Sequence, residues 1–275
     1  MSKQEFEFIE TFELQTMKEI EKLEVPEKYR MIRDSILRGR EEEEIALDVN
    51  ISATEHSTFL NLWLNNSYRM RELNRVMGRL LLYSRAGNID SYPVTASGES
   101  VDYSEHFWAS YGDFEVKSCS LLDSIGLFLA FTFFGIVDAP LYYHNVIESI
   151  RLKYECNMDK KKTRKVIERE PYKVNGNVSW ELLKDARSRY QKIKAWRNEI
   201  VHVFSPIMYH TFWEDEFDGQ ERRQLLQRTT LDSVTALNEC KETYFIVTLA
   251  GIAADDLAAS YIDTPSYHRN FYYEP

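Results

Sequence analysis

Residues 179–204, SWELLKDARSRYQKIKAWRNEIVHVF, decide the fold of this chain. From Leu182 to Phe204 the apolar positions recur every three or four residues, which is the spacing of one face of an α-helix. Ser179 is a good N-cap for this helix, and Pro206 ends it because proline has no N–H to continue the hydrogen-bond ladder. The stretch therefore predicts a long amphipathic helix whose apolar face needs partner helices.

Helical signals also dominate the neighbouring segments. Long helices are predicted over residues 105–136 and 231–261, and another begins near Pro140. No run of residues alternates as a half-buried strand would. Only 10 glycines and 7 prolines are present, fewer than the turns of a large all-β protein require. Four long helices with apolar stripes favour a helix bundle.

The first ninety residues carry helical patterns of their own. Residues 4–24 place four apolar side chains close to helical spacing: Phe8, Phe12, Leu14 and Ile20. Pro26 suits the first turn of a second helix. A third, long helix is predicted from a capping box at Ser52 and Glu55.

The clearest loop of the chain covers residues 87–103, GNIDSYPVTASGESVDY. It is rich in small and turn-forming residues, so we place a boundary there. The expected architecture is all-α, with an N-terminal helical region over residues 1–90 and a four-helix bundle over residues 105–265.

The charge of the chain is unevenly distributed. The net charge of −10 argues against a general polyanion binder. Residues 151–200 nevertheless hold 15 basic and 7 acidic residues. They form either a phosphate-facing surface or a solvated face whose cations pair with acidic neighbours. On the first interpretation the candidate contacts are Lys161, Lys162, Arg164, Arg189 and Lys194.

The end of the same helix holds three polar side chains of complementary chemistry. Asn198 and His202 are four residues apart and share a helix face, and the long Arg197 side chain can reach the same cleft. A guanidinium holds a phosphate through a forked pair of hydrogen bonds, and an imidazole exchanges protons near neutral pH. The pattern indicates a phosphate site. The alternative is a helix end at which His202 caps carbonyls and Arg197 pairs with a carboxylate.

An Arg-x4–6-His motif late in the third helix of a bundle, with Asn directly after the Arg, resembles the HEPN superfamily. The resemblance covers about residues 105–265. It implies a HEPN-like bundle and a metal-independent endoribonuclease without a cofactor, with Arg197, Asn198 and His202 as the active residues. It also implies a homodimer in which the motifs of both copies face one composite cleft. RNA then becomes the ligand of the basic surface.

Two further positions follow from the resemblance. Family members often use a polar residue from the helix before the motif, and Asp123 is the candidate here; otherwise Asp123 caps or solvates its helix. Some members continue the motif as His-x-Tyr, and a partner nucleotidyltransferase modifies that tyrosine in certain toxin–antitoxin pairs. This chain has Phe204 at that position, which lacks the hydroxyl. That form of regulation is therefore not expected here.

Two alternatives to the ribonuclease interpretation stay open. The bundle could bind RNA or a nucleotide without cleaving it, or it could be a structural, partner-binding protein in which the motif is incidental. A role in stress or phage defence, with an antitoxin or another protein partner, rests on the resemblance alone. Glu199 and His202 also form Glu-x-x-His, but no other histidine has a glutamate three residues before it, so a di-iron site is not expected.

The compartment is predicted from three features of the sequence. Residues 1–24 lack a secretory pattern, and three scattered cysteines indicate a reducing environment. The longest apolar run, about Ile125 to Val137, is shorter than the roughly 20 residues of a membrane-spanning helix. We therefore expect a cytoplasmic protein that does not bind a membrane.

Overall fold

The computed structural model describes residues 3–41, 53–86, 103–136, 142–155, 174, 176–202 and 233–262. Over these residues the protein is all-helical, with seven α-helices and no strand, which confirms the predicted fold class. The helices are α1 (Lys3–Glu21), α2 (Glu27–Glu41), α3 (Ala53–Ala86), α4 (Tyr103–Phe134), α5 (Tyr143–Ile150), α6 (Val178–His202) and α7 (Ser233–Ile262). A π-helical turn, Arg151–Glu155, continues α5. The HEPN-like arrangement of the bundle stays a prediction.

The chain divides into two compact units, each assembled from three separate segments. Unit 1 contains Met1–Glu24, Arg71–Ser118 and Lys192–Tyr244, and unit 2 contains Val25–Met70, Cys119–Gln191 and Phe245–Pro275. Both units therefore take residues from each side of the loop predicted at 87–103. The division into regions 1–90 and 105–265 stays a prediction.

In unit 1, a close backbone approach between α1 and the second half of α3 decides which face of α1 is buried. A Cβ atom on Gly78 would lie only 2.4 Å from the carbonyl oxygen of Thr16. Thr16 and Glu19 are accordingly buried, whereas Leu14 is 53% exposed. The Glu19 carboxylate pairs with Arg85 at 2.5 Å. Burial on α1 is thus greatest near the glycine contact, whereas of the predicted apolar positions Phe12 and Ile20 are half-buried and Leu14 is exposed.

Unit 1 also contains a half-buried tyrosine, Tyr244, whose ionisation is expected to lower the stability of the protein at alkaline pH. Tyr244 donates a hydrogen bond to Oδ1 of Asn74 at 3.1 Å, and burial raises the pKa of Tyr244 to about 12 from an ordinary value of 10. The unfolded chain ionises first, so the stabilising contribution is complete below pH 10 and is lost as the pH rises towards 12. We expect Tyr244→Phe to lose less stability than wild type over this interval in urea titrations. If the stability of Tyr244→Phe changed with pH as steeply as that of wild type, Tyr244 would not be the responsible group. The control is Tyr68→Phe, because Tyr68 is exposed.

In unit 2, Asn177 starts helix α6. Its Oδ1 accepts hydrogen bonds from the backbone N–H groups of Ser179 and Trp180, at 2.8 and 3.2 Å. Ser179, the predicted N-cap, lies in the first turn of the helix, and its hydroxyl donates to Asp256 on α7 at 2.5 Å. The cap therefore lies two residues earlier than predicted, because the serine hydroxyl is used in a contact between helices.

Two of the described helices are long and apolar enough to cross a membrane: His106–Phe134 and Ser233–Tyr261. Their most apolar windows are 72% and 50% buried within the protein. Core helices of soluble proteins have the same length and composition. The cytoplasmic location therefore stays a prediction.

Candidate functional site

Helix α6 carries the predicted motif in its last two turns. The helix runs without interruption to His202, so Arg197, Asn198 and His202 belong to one element. Their backbone spacing is therefore the helical one on which the motif interpretation depends. The side chains of these three residues lie outside the described part of the structure, as do Lys161, Lys162 and Arg164.

Asp123, the candidate from the helix before the motif, is half-buried in unit 2 and joins three helices there. Its Oδ1 accepts a hydrogen bond from the Tyr190 hydroxyl of α6 at 2.7 Å. The same oxygen accepts one from the backbone N–H of Tyr143 at 3.1 Å. Tyr143 is the first residue of α5, and its preceding residue, Tyr142, provides no side-chain cap. Asp123 therefore caps α5 from α4 and does not cap its own helix; a catalytic role stays a prediction.

Aromatic rings surround this carboxylate. His144 stacks on Tyr190, with ring centroids 5.6 Å apart and an interplanar angle of 26°. Tyr142 stacks on the same imidazole at 5.9 Å and 22°. Tyr143 is fully buried, donates its hydroxyl to the carbonyl of Leu183 at 2.9 Å, and has a pKa raised well above its ordinary value by burial. These contacts fix the start of α5 against α6.

Removing the Asp123 carboxylate is expected to destabilise the protein. In Asp123→Ala the buried Tyr190 hydroxyl and Tyr143 N–H lose their acceptor, which costs about 2–4 kcal/mol of unfolding free energy. Chemical denaturation measures this loss. The matched control is Asp185→Ala on the exposed face of α6, for which we expect a change within about 0.5 kcal/mol. Equal stability of the two variants would contradict the capping role.

The amide variant Asp123→Asn separates structure from catalysis. Its side-chain oxygen can still accept both hydrogen bonds, so the expected cost is only about 1 kcal/mol. If the carboxylate acts only as an acceptor, RNA cleavage by this variant stays close to wild type. A large loss of cleavage at preserved stability would instead assign the negative charge of Asp123 to the reaction.

The described basic residues of α6 are largely matched by carboxylates. Lys184 pairs with Glu181 at 2.8 Å. Lys192 pairs with Glu239 of α7 at 3.3 Å within unit 1. Arg189 and Lys194 are half-buried and also take part in interactions. On this helix the contacts favour the interpretation in which the cations pair with acidic neighbours; the role of Arg189 and Lys194 as RNA contacts stays a prediction.

A second charged cluster joins α5, the π-helical turn and α6. Arg151 and Arg187 both bind the Glu148 carboxylate, each at 2.6 Å. The hydrogen bond from Arg151 lowers the pKa of Glu148, and the charge of Arg187 acts in the same direction against the opposing effect of burial. Glu148 is therefore ionised at neutral pH and holds two guanidinium groups together.

The buried thiol of Cys240 is a poor candidate for chemistry. Burial raises the pKa of Cys240 well above its ordinary value, and the nearby carboxylates Glu115 and Glu239 raise it further. Because the thiolate is the reactive form, this residue is inert as a nucleophile at neutral pH. Across the described ranges no group of three or more His, Cys, Asp or Glu side chains is arranged to hold a metal ion.

Sequence analysis did not single out His144, Glu148 or Tyr190 as site residues. Their partners on other helices lie 39 to 67 residues away in the chain, as in the bonds from Arg187 to Glu148 and from Tyr190 to Asp123. The available signal was the four-residue spacing of His144 and Glu148, which places both on one face of α5.

Comparisons with known proteins returned no relative. No protein-family model, no curated protein and no solved structure matches this chain.

Proposed function

We propose that the protein is a metal-independent endoribonuclease of HEPN type, which acts in the cytoplasm as a homodimer in stress or phage defence. The observation that carries the proposal is the unbroken course of α6 through Arg197, Asn198 and His202, in a chain whose described residues are all-helical. The sequence of a single helix end contains a cation, an amide and an imidazole at helical spacing. A cation can stabilise the charge of a phosphodiester transition state, and an imidazole can transfer its protons.

The proposed reaction uses the ribose 2′-hydroxyl as the nucleophile. His202 takes the proton of the 2′-hydroxyl or gives a proton to the leaving 5′-oxygen, and the other of these two proton transfers falls to water or to His202 of the second copy. The 2′-oxygen forms a bond to phosphorus as the bond to the 5′-oxygen breaks, which leaves a 2′,3′-cyclic phosphate and a 5′-hydroxyl. Arg197 stabilises the negative charge on the phosphate in the transition state. Asn198 orients His202 or the phosphate.

The experiment that tests the proposal is an RNA-cleavage assay with excess chelator. Wild-type protein is incubated with a mixture of structured and single-stranded RNA, and the ends of the products are identified by mass spectrometry. We expect cleavage that leaves cyclic phosphate and 5′-hydroxyl ends. Cleavage that needs a divalent metal or leaves 3′-hydroxyl ends would contradict the proposed chemistry. Tight RNA binding without cleavage would favour the non-catalytic RNA-binding module.

A further inference from the structure

One surface of unit 2, formed by α5, the π-helical turn and α6, combines stacked rings with paired guanidinium groups. The ring part is a ladder in which the imidazole of His144 lies between Tyr142 and Tyr190. Tyr190 is buried at one end of the ladder, whereas Tyr142 at the other end is 43% exposed. The ladder therefore gives its outer ring a rigid support and leaves part of that ring open to solvent.

The charged part lies next to the ladder. Arg151 and Arg187 share the single carboxylate of Glu148, so the trio carries a net positive charge. The two guanidinium side chains are 36% and 29% exposed. A guanidinium has five N–H donors, and the bond from Arg187 to Glu148 does not use all of them.

Two contacts show that ladder and charged trio are adjacent. His144 of α5 contacts Tyr190 of α6, and one turn further along α5, Glu148 contacts Arg187 of α6. Four residues of α-helix rise about 6 Å, so the two parts are separated by little more than the size of one side chain. Positions increase along α5 and decrease along α6, as expected for antiparallel neighbours.

We propose that this surface, Tyr142, His144, Glu148, Arg151 and Arg187, binds single-stranded RNA, with a base stacked on Tyr142 and the adjacent phosphate held by the two arginines. Aromatic faces and guanidinium groups in close succession are the features with which proteins hold single strands. A duplex keeps its bases stacked inside and cannot offer a face to Tyr142. RNA as the ligand rests on the proposed function, but these residues lie outside the α6 motif.

Removing the charge of Glu148 is expected to strengthen RNA binding, which a purely structural role of this residue would not produce. In free protein the carboxylate holds both guanidinium groups in position, and an incoming phosphate has to compete with it. Glu148→Gln keeps the shape and removes the negative charge, so RNA is expected to bind several-fold more tightly. If the trio only fixes the π-helical turn, the same variant lowers stability and does not tighten binding.

Binding is measured by fluorescence anisotropy with a short labelled single-stranded RNA and excess chelator, using the full chain with His202→Ala so that the RNA stays intact. The double variant Arg151→Gln/Arg187→Gln is expected to weaken binding at least roughly tenfold, and the exposed-ring variant Tyr142→Ala about tenfold. Lys192→Gln, which removes one paired cation from α6, is the control for a general loss of positive charge, with an expected change under about twofold. Thermal unfolding confirms that each variant is folded.

Binding unchanged in the double variant, or weakened equally by Lys192→Gln, would overturn the proposed surface. So would a Glu148→Gln variant that is folded but binds RNA no more tightly. The two proposals fail separately. If wild type cleaves RNA but substitutions of Arg151, Arg187 and Tyr142 leave RNA binding unchanged, only the proposed binding surface is wrong. If binding depends on these residues but no RNA is cleaved, only the ribonuclease proposal is wrong.

Discussion

Replacing His202 with alanine is expected to slow RNA cleavage by roughly 10²- to 10⁴-fold, which is the usual contribution of a general acid or base. The reaction needs a group that exchanges a proton with a ribose or leaving-group oxygen near neutral pH, and alanine cannot do so. Arg197→Ala is expected to cost roughly 10² or more, because it removes the positive charge beside the phosphate. Initial cleavage rates with chelator present measure both losses.

The control for these variants is another histidine of the same chain. His106 is exposed on α4, where its ring stacks on Tyr83 with centroids 5.6 Å apart in unit 1. His106→Ala also removes one imidazole, and we expect it to cleave at a rate within about twofold of wild type, as for a surface substitution. Cleavage by a folded His202→Ala variant at the rate of His106→Ala would remove His202 from the mechanism.

Gly78→Ala is expected to cause a large loss of stability in unit 1, although it adds only one methyl group. The new Cβ would lie 2.4 Å from the carbonyl oxygen and 2.5 Å from Cγ2 of Thr16. Backbone atoms cannot turn aside as a side chain can, so α1 has to move away from α3. Overpacking of this kind costs up to about 3 kcal/mol, and the better helix propensity of alanine offsets only about 1 kcal/mol. Thermal and chemical denaturation measure the net loss.

The matched control is Gly251→Ala, another glycine inside a long helix. Its Cβ would lie 3.1 Å from the terminal methyl group of Met70, the flexible end of a side chain that can shift. Because the helix propensity of alanine is better by about 1 kcal/mol, we expect this variant to be as stable as wild type or slightly more stable. If Gly78→Ala were equally well tolerated, the close approach between α1 and α3 would be wrong.

The helices themselves could be predicted from the sequence because their signals are local. The apolar period over 179–204 and the breaks near Pro26 and Pro140 depend on residues close together in the chain, and the described helices follow them. The register of Arg197 and His202 on α6 follows from the same local signal. Arg197 and His202 can face the motif of a second copy only if two chains form a dimer, and this dimer stays a proposal.

Positions that depend on distant partners could not be predicted in this way. Thr16 and Glu19 are buried because Gly78, some sixty residues later, lets α3 approach. Ser179 has the ideal residue type for an N-cap, but Asp256 uses its hydroxyl and Asn177 takes the cap. In both cases a tertiary contact overrides a correct local preference.

The same limit applies to Asp123 and Glu148. The sequence indicated that Asp123 either assists catalysis or caps or solvates its own helix, and only its bonds to Tyr143 and Tyr190 show that it caps α5 instead. The positive charge of residues 151–200 did not reveal that Arg187 is held by Glu148. The composition of a segment shows whether positive or negative charge predominates in it. Which of these charges pair with each other can be seen only in the folded structure.

If the motifs of two copies form one composite active site, two inactive chains with different defects should restore cleavage when they form a mixed dimer. Arg197→Ala and His202→Ala chains with different tags are co-expressed, the mixed dimers are purified through both tags, and RNA cleavage is measured with chelator. Each mixed dimer retains one intact arginine and one intact histidine in the shared cleft. We expect cleavage well above that of either parent homodimer. A mixed dimer no more active than its parents, or a protein that stays monomeric while it cleaves RNA, would contradict the composite active site.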